Sequence, residues 1–189
     1  MKCFRTDNTY NEYIEHQLKK TTDPKIIKRF ADRREQRVIN FCSEFKVLVK
    51  HVSLKTKRIL CLGARYGEEV EALQKFGYNA IGIDLVPYAP WVVEGDFHKI
   101  PFEENTFSVL YSNSIDHIRD FPLFASEVCR VLTNDGWLLV KISMKDMGTY
   151  ETLQLDSGEE FIQAFPSFKV VHRHISARDS ILLHRCSKG

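Results

Sequence analysis

The feature that most restricts this chain is a rhythm of five short apolar runs, each closing on a glycine or a polar residue, with helix-like stretches between them. The runs are 58–62 ending at Gly63, 80–83 ending at Asp84, 91–94 ending before Gly95-Asp96, 107–111, and 137–142. Runs this short and this evenly apolar suit strands buried on both faces, as a parallel sheet provides. Between the first two, residues 68–76 place Val70, Leu73 and Phe76 on one helical face, with Gly77 as the stop signal. A helix over 122–132 and a turn at Thr133-Asn134-Asp135-Gly136 precede the fifth run. The tail breaks the rhythm. After a helix near 158–165, strands at 168–175 and 180–185 are separated by four residues only, too few for a crossover helix, so they are expected to form an antiparallel hairpin.

Upstream of this body, residues 10–20 read as a short helix. Asp23 then Pro24 gives an N-cap followed by proline at the first helical position. Ile27, Phe30, Val38, Phe41, Phe45 and Leu48 continue as one apolar stripe, which predicts a single long helix. Arg34 interrupts that stripe and is expected to snorkel. The chain is read as one compact unit: a helical lid and cap segment over 1–56 packed on a body over 57–189.

In open α/β sheets, ligands sit beyond the carboxyl ends of the strands, and here four successive ends carry distinctive residues. Gly63 and Gly67 bound a turn where backbone can approach a ligand closely, and the N–H groups of the following helix can receive a carboxylate. The segment does not match GxGxxG. Asp84 can accept from two ribose hydroxyls, or cap the turn into Pro87. Asp96 can accept from an adenine amino group with the Phe97 N–H donating to the ring, or cap its loop. Tyr111 to Ile118 reads YSNSIDHI; its Asp116-His117 pair is either a satisfied cap or an acid–base pair.

The stretch from about Arg58 to Ser143 resembles class I S-adenosylmethionine-dependent methyltransferases, of the broad group called type 11. LCLGARYGEEVEAL, AIGIDLVP, EGDFHKIPFEENTFSVLYSNSIDHI and EVCRVLTNDGWLLVKIS follow its successive motifs. The form GARxGxEV with GDFHxxPF and SNxxDH is similar to a subgroup of plant and protist proteins. The resemblance implies an α/β, Rossmann-like seven-stranded methyltransferase sheet with a C-terminal antiparallel hairpin and helices on both faces. It implies S-adenosylmethionine as cofactor, with Gly63, Ala64, Arg65 and Gly67 along the methionine end and Asp84 on the ribose. Asp96 and Phe97 would read the adenine, Leu85 would cover one of its faces, and Asn113 would lie beside the methionine moiety or the acceptor. Asp116, His117 and His98 are the candidate acid–base groups. Tyr10, Tyr13 and His16 are expected on a lid over the acceptor, which the sequence does not identify beyond a lean to a small molecule. Two departures stand out: Cys61 where the family commonly has an acid, and Arg65 where it commonly has a glycine. They support the rival reading, a catalytically weak or inactive methyltransferase-fold binding or scaffold protein acting on protein or RNA. A nicotinamide-dependent oxidoreductase is disfavoured by the missing GxGxxG and by the terminal hairpin.

Composition adds exclusions. No apolar run reaches 18 residues and the amino terminus lacks a signal-peptide core, so a soluble, cytoplasmic protein is expected. The five cysteines are scattered without CxxC or His/Cys spacing, which predicts no metal site and small buried side chains in a reducing compartment. Residues 1–58 hold 15 Lys/Arg against 7 Asp/Glu, while the rest hold 12 against 18. Docking of a basic segment on an acidic body is favoured over a nucleic-acid partner, and no obligate protein partner is inferred.

Overall fold

The computed structural model describes residues 2–3, 9–53, 57–143 and 151–186. β1 (Lys2–Cys3) leads, followed by α1 (Tyr10–Thr22), α2 (Pro24–Asp32), α3 (Arg34–Glu44) and α4 (Lys46–His51). The body runs β2 (Arg58–Leu62), α5 (Glu68–Lys75), β3 (Asn79–Asp84), β4 (Val92–Glu94) and β5 (Phe107–Ser112). A 3-10 turn (Ile115–His117) then leads to α6 (Phe121–Val131), β6 (Leu132–Ser143) and β7 (Leu153–Gln154). α7 (Gly158–Gln163), β8 (Phe168–Ile175) and β9 (Arg178–Arg185) close the chain. Seven strands form one sheet in the order β4-β3-β2-β5-β6-β9-β8, while β1 and β7 pair separately. The pairs from β4 to β6 are parallel; β9 runs antiparallel to both β6 and β8, as a hairpin at the sheet's edge requires.

Residue parity divides the core. Leu60, Leu62, Leu110, Leu138, Val140, Ile181 and Leu183 face α6 and α7, meeting Phe124, Val128, Phe161 and Phe165. Ile59, Cys61, Val109, Tyr111, Leu139 and Leu182 face the other way, against Val70 and Leu73 of α5 and Val38, Phe41, Phe45 and Leu48 of α3 and α4. Both faces are therefore covered, which explains why the strands read as unbroken apolar runs. The seven-stranded Rossmann-like sheet with its terminal hairpin is the expected one.

Three local expectations are corrected. The long N-terminal helix is three: it leaves helical geometry at Arg33 (φ −111°, ψ 4°) and breaks again at Phe45, with no glycine or proline at either point. Its start is as expected, with Asp23 accepting from the Lys25 N–H and Pro24 in the first turn. Arg34 does not snorkel; it donates to the Tyr66 carbonyl at 2.7 Å and to Glu71 at 2.6 Å, tying the break to α5. The expected turn at 133–136 is absorbed into β6 as a bulge, between the pairs Phe107↔Leu132 and Val109↔Trp137. Of the cysteines, Cys61 is buried, Cys42 and Cys129 are half-buried and Cys186 is exposed; the Cys3 side chain lies outside the described residues. Among the described residues, no helix is long and apolar enough to cross a membrane.

Candidate functional site

The glycine turn after β2 forms the floor of a cavity of about 250 Å³ at the carboxyl ends of the parallel strands. Gly63 and Gly67 have φ of +75° and +70°, a region that side chains other than glycine rarely adopt. A Cβ at Gly63 would lie 2.7 Å from Ser114 Oγ, and one at Gly67 would lie 2.3 Å from Trp91 Nε1. Both positions thus exclude any side chain, and the loop can pass close under a ligand. The Gly63 and Ala64 N–H groups donate to the Ile83 carbonyl at 2.9 Å, fixing the turn to the end of β3.

Asp84 lies between two tasks. Its carboxylate accepts from the Val86 N–H at 3.0 Å and the Arg65 N–H at 3.1 Å, and it also lines the cavity. The Arg65 guanidinium approaches it at 3.8 Å through Nε, a buried atom with no hydrogen-bond partner. Asp96 takes hydrogen bonds from the His98 N–H and from Tyr10 Oη. Burial opposes ionisation of this carboxyl, but the bonds from His98 and Tyr10 outweigh it and hold the group below the usual carboxylate range. His98 is withdrawn from the cavity. Only 3% of it is exposed, and its Nε2 accepts from the Arg119 and Asp120 N–H groups at 3.2 and 3.3 Å. The ring proton then sits on Nδ1, 2.9 Å from Asp96 Oδ1. Both ring nitrogens are thus engaged, and His98, expected as a candidate acid–base group, lies behind Asp96 rather than in the cavity lining.

Of the remaining expected residues, Leu85, Phe97 and Asn113 line the cavity together with Asp116 and His117. Gly67 shapes the turn without lining it, and Tyr10 and His16 stand outside the lining. Of the three expected lid residues, Tyr13 reaches in, with its hydroxyl donating to the His117 carbonyl at 2.9 Å. One donor atom each from Asp116, His117 and Glu151 lies within 4.8 Å of the others, a carboxylate–imidazole group that local spacing in the sequence could not reveal.

The structure also brings in residues the sequence reading passed over. Gln17, one helical turn beyond Tyr13, adds a second buried side chain from α1 to the wall. Phe30 stacks on Tyr66, which stacks on Tyr88, with centroids 4.8 and 5.1 Å apart. Glu68 and Glu69, from the first turn of α5, are both buried. Glu68 accepts from Arg37 Nε at 2.9 Å. Burial pushes the Glu69 carboxyl up to about 8. The signal for these was present as two acids directly after Gly67, but an acid pair opening a helix is ordinarily solvated.

This donor set fits a nucleoside with a charged tail: a side-chain-free cradle, carboxylates at two strand ends, and unspent charge of both signs between them. Residues 60–140 match the family described as "Methyltransferase domain". No curated protein matches the chain. Among solved structures, a S-adenosylmethionine-dependent methyltransferase from Aquifex aeolicus superposes with a TM-score of 0.67 at 17% identity, covering 86% of this chain and 98% of that one. The 1,6-didemethyltoxoflavin-N1-methyltransferase of Burkholderia thailandensis, with bound 1,6-didemethyltoxoflavin and S-adenosylhomocysteine, superposes at 0.73 with 13% identity, covering 94% and 91%. The protein bound to the Trm112 methyltransferase activator in a Haloferax volcanii complex gives 0.67 at 12% identity, covering 93% and 98%. Residues 60–140 thus match the methyltransferase-domain family, and they lie at the centre of a fold shared with class I S-adenosylmethionine-dependent methyltransferases.

Proposed function

We propose that this chain transfers the methyl group of S-adenosylmethionine to a small-molecule acceptor that enters beside Asn113, Asp116 and His117. What supports the reading is convergence: Gly63, Asp84, Asp96, Phe97 and Asn113, from four separate strand ends, line one cavity. When bound, the cofactor supplies a methyl group on positively charged sulfur, already activated for in-line displacement. The chain then has to align the acceptor and keep water out, and alignment is worth roughly 7–11 kcal/mol in favourable cases. Tyr13 and Gln17 close the cavity from α1. Asp116 and His117 take the proton of an acceptor that must lose one, a contribution of about 10²–10⁴-fold. The lean to a small acceptor is supported by that partly closed pocket and by the Burkholderia thailandensis enzyme, whose bound 1,6-didemethyltoxoflavin is a small heterocycle.

The test has two stages. S-adenosylhomocysteine at 100 times its dissociation constant should stabilise the protein by about 2.7 kcal/mol, and NAD should not. Labelled cofactor incubated with fractionated cell extract should then label a low-mass compound. No stabilisation by S-adenosylhomocysteine would sink the cofactor assignment; label in protein or RNA would sink the small acceptor.

A further inference from the structure

We infer that Glu69 is the residue that receives the α-ammonium group of the cofactor's methionine tail, and that it gives up a proton as the tail binds. The inference rests on the cofactor lying at this strand edge. The other acids described around the glycine turn already have partners: Glu68 is bonded to Arg37, Asp84 to the Arg65 and Val86 N–H groups, and Asp96 to His98 and Tyr10. Glu69 differs. It is 3% exposed, it lines the cavity, and among the described residues its carboxyl bonds only to its own backbone N–H. A buried carboxylate without a cation is costly, so the group stays protonated until one arrives.

The groups around it define what that cation is. Glu68 from the same turn and Asp84 from β3 repel negative charge at Glu69, while Arg37 from α3 attracts it. Cys61 of β2 and Tyr111 of β5 sit within reach of its charge; burial drives both toward their neutral forms, followed by Glu69 for Cys61 and by Glu44 and then Glu69 for Tyr111. None of these supplies a cation bonded to the carboxylate. On the same cavity wall, Arg65 Nε is a buried donor with no acceptor. One unspent acid and one unspent guanidinium N–H in a single pocket complement a zwitterion, whose ammonium and carboxylate lie on one carbon. A simple cation would leave Arg65 Nε unanswered.

The proton balance follows. Below about pH 8 the free protein holds Glu69 mostly as the acid. When the ammonium group enters, the O–H bond breaks, the carboxylate remains with the ammonium, and the proton leaves to buffer. Binding is then coupled to release of nearly one proton near pH 7, and affinity rises with pH, by up to about tenfold per pH unit below the Glu69 titration.

Calorimetric titration in buffers of different ionisation enthalpy reads this directly. The probes are S-adenosylhomocysteine, which carries the zwitterionic tail, and 5′-methylthioadenosine, which lacks it. In the wild-type protein, S-adenosylhomocysteine should release close to one proton at pH 7 and methylthioadenosine none. Glu69→Gln should weaken S-adenosylhomocysteine binding by roughly 10- to 100-fold at pH 7.5, the range for loss of a charge-assisted bond. It should also abolish the proton release and leave methylthioadenosine affinity within about twofold, which doubles as the check that the variant folds. Unchanged proton release in Glu69→Gln, or equal weakening of both ligands, would overturn the assignment. Failure of the wild-type protein to bind either ligand would instead remove the strand-edge cofactor site, and this proposal with it.

Discussion

Gly67 shows how a single residue can be decided by two separate costs. Its φ of +70° disfavours any side chain, and an added Cβ would collide with the Trp91 indole, which donates to the Gly67 carbonyl at 3.1 Å. The left-handed backbone alone costs about 1–2 kcal/mol, and moving Trp91 breaks its hydrogen bond as well. Gly67→Ala should therefore lower stability to urea by at least that amount and weaken S-adenosylhomocysteine binding. A variant as stable and as tightly binding as the parent would show that the turn is not rigid. Glycines at strand ends are legible from sequence because their punctuation is local, as is that of Asp84 and Asp96. Which way a side chain faces is not. His98 stands two residues past Asp96 in a motif that reads as site, yet its ring is turned into backbone N–H groups. Cys61 reads as an acid lost from the end of β2, while the buried acid acting on that position is Glu69, from the next helix.

At the scale of elements, α1 and β1 act together. α1 starts with a capping box, Thr9 and Glu12 satisfying each other's backbone N–H groups, so its register over the cavity is fixed from its first turn. β1 pairs with β7 through Lys2↔Gln154 and Cys3↔Leu153, which places it just past Glu151 on the cavity rim. Removing residues 1–20 would take away Tyr13, Gln17 and the partner strand of β7, while the glycine turn, Asp84 and Asp96 stay in the body. The truncated chain should lose methyl transfer more than tenfold further than it loses S-adenosylhomocysteine affinity, measured by calorimetry beside turnover on the identified acceptor. Complete loss of cofactor affinity with the fold intact would show that α1 belongs to the cofactor site itself. The sequence marked the start of α2 through Asp23 and Pro24 but not the breaks at Arg33 and Phe45. Those carry no local signal, and packing of α3 and α4 against α5 and the sheet sets them.

Across the whole molecule, the basic first third and the acidic remainder meet face to face. Arg34 bonds to Glu71 and Arg37 to Glu68, two bridges from α3 to the first turns of α5, just beyond the glycine turn. Docking thus accounts for part of the charge imbalance that the sequence displays. The Arg37 bridge carries more than surface pairs do, because the Glu68 side chain is only 2% exposed and would be left buried and unpaired without it. Arg37 also lies over the Phe30 ring, 4.6 Å from its centroid, which links α2 to the same contact. With about a third of its side chain open to water, the bridge is partly screened, so Arg37→Ala should cost about 1–3 kcal/mol. In a chain of this size that corresponds to a melting point lower by about 2–4 °C per kcal/mol. The double variant Arg37→Ala with Glu68→Gln separates the two contributions, since it removes the stranded charge but restores no packing. It should recover part of the lost stability. A double variant no more stable than Arg37→Ala would mean that the contact over Phe30, rather than the buried charge, holds the N-terminal helices to the body of the fold.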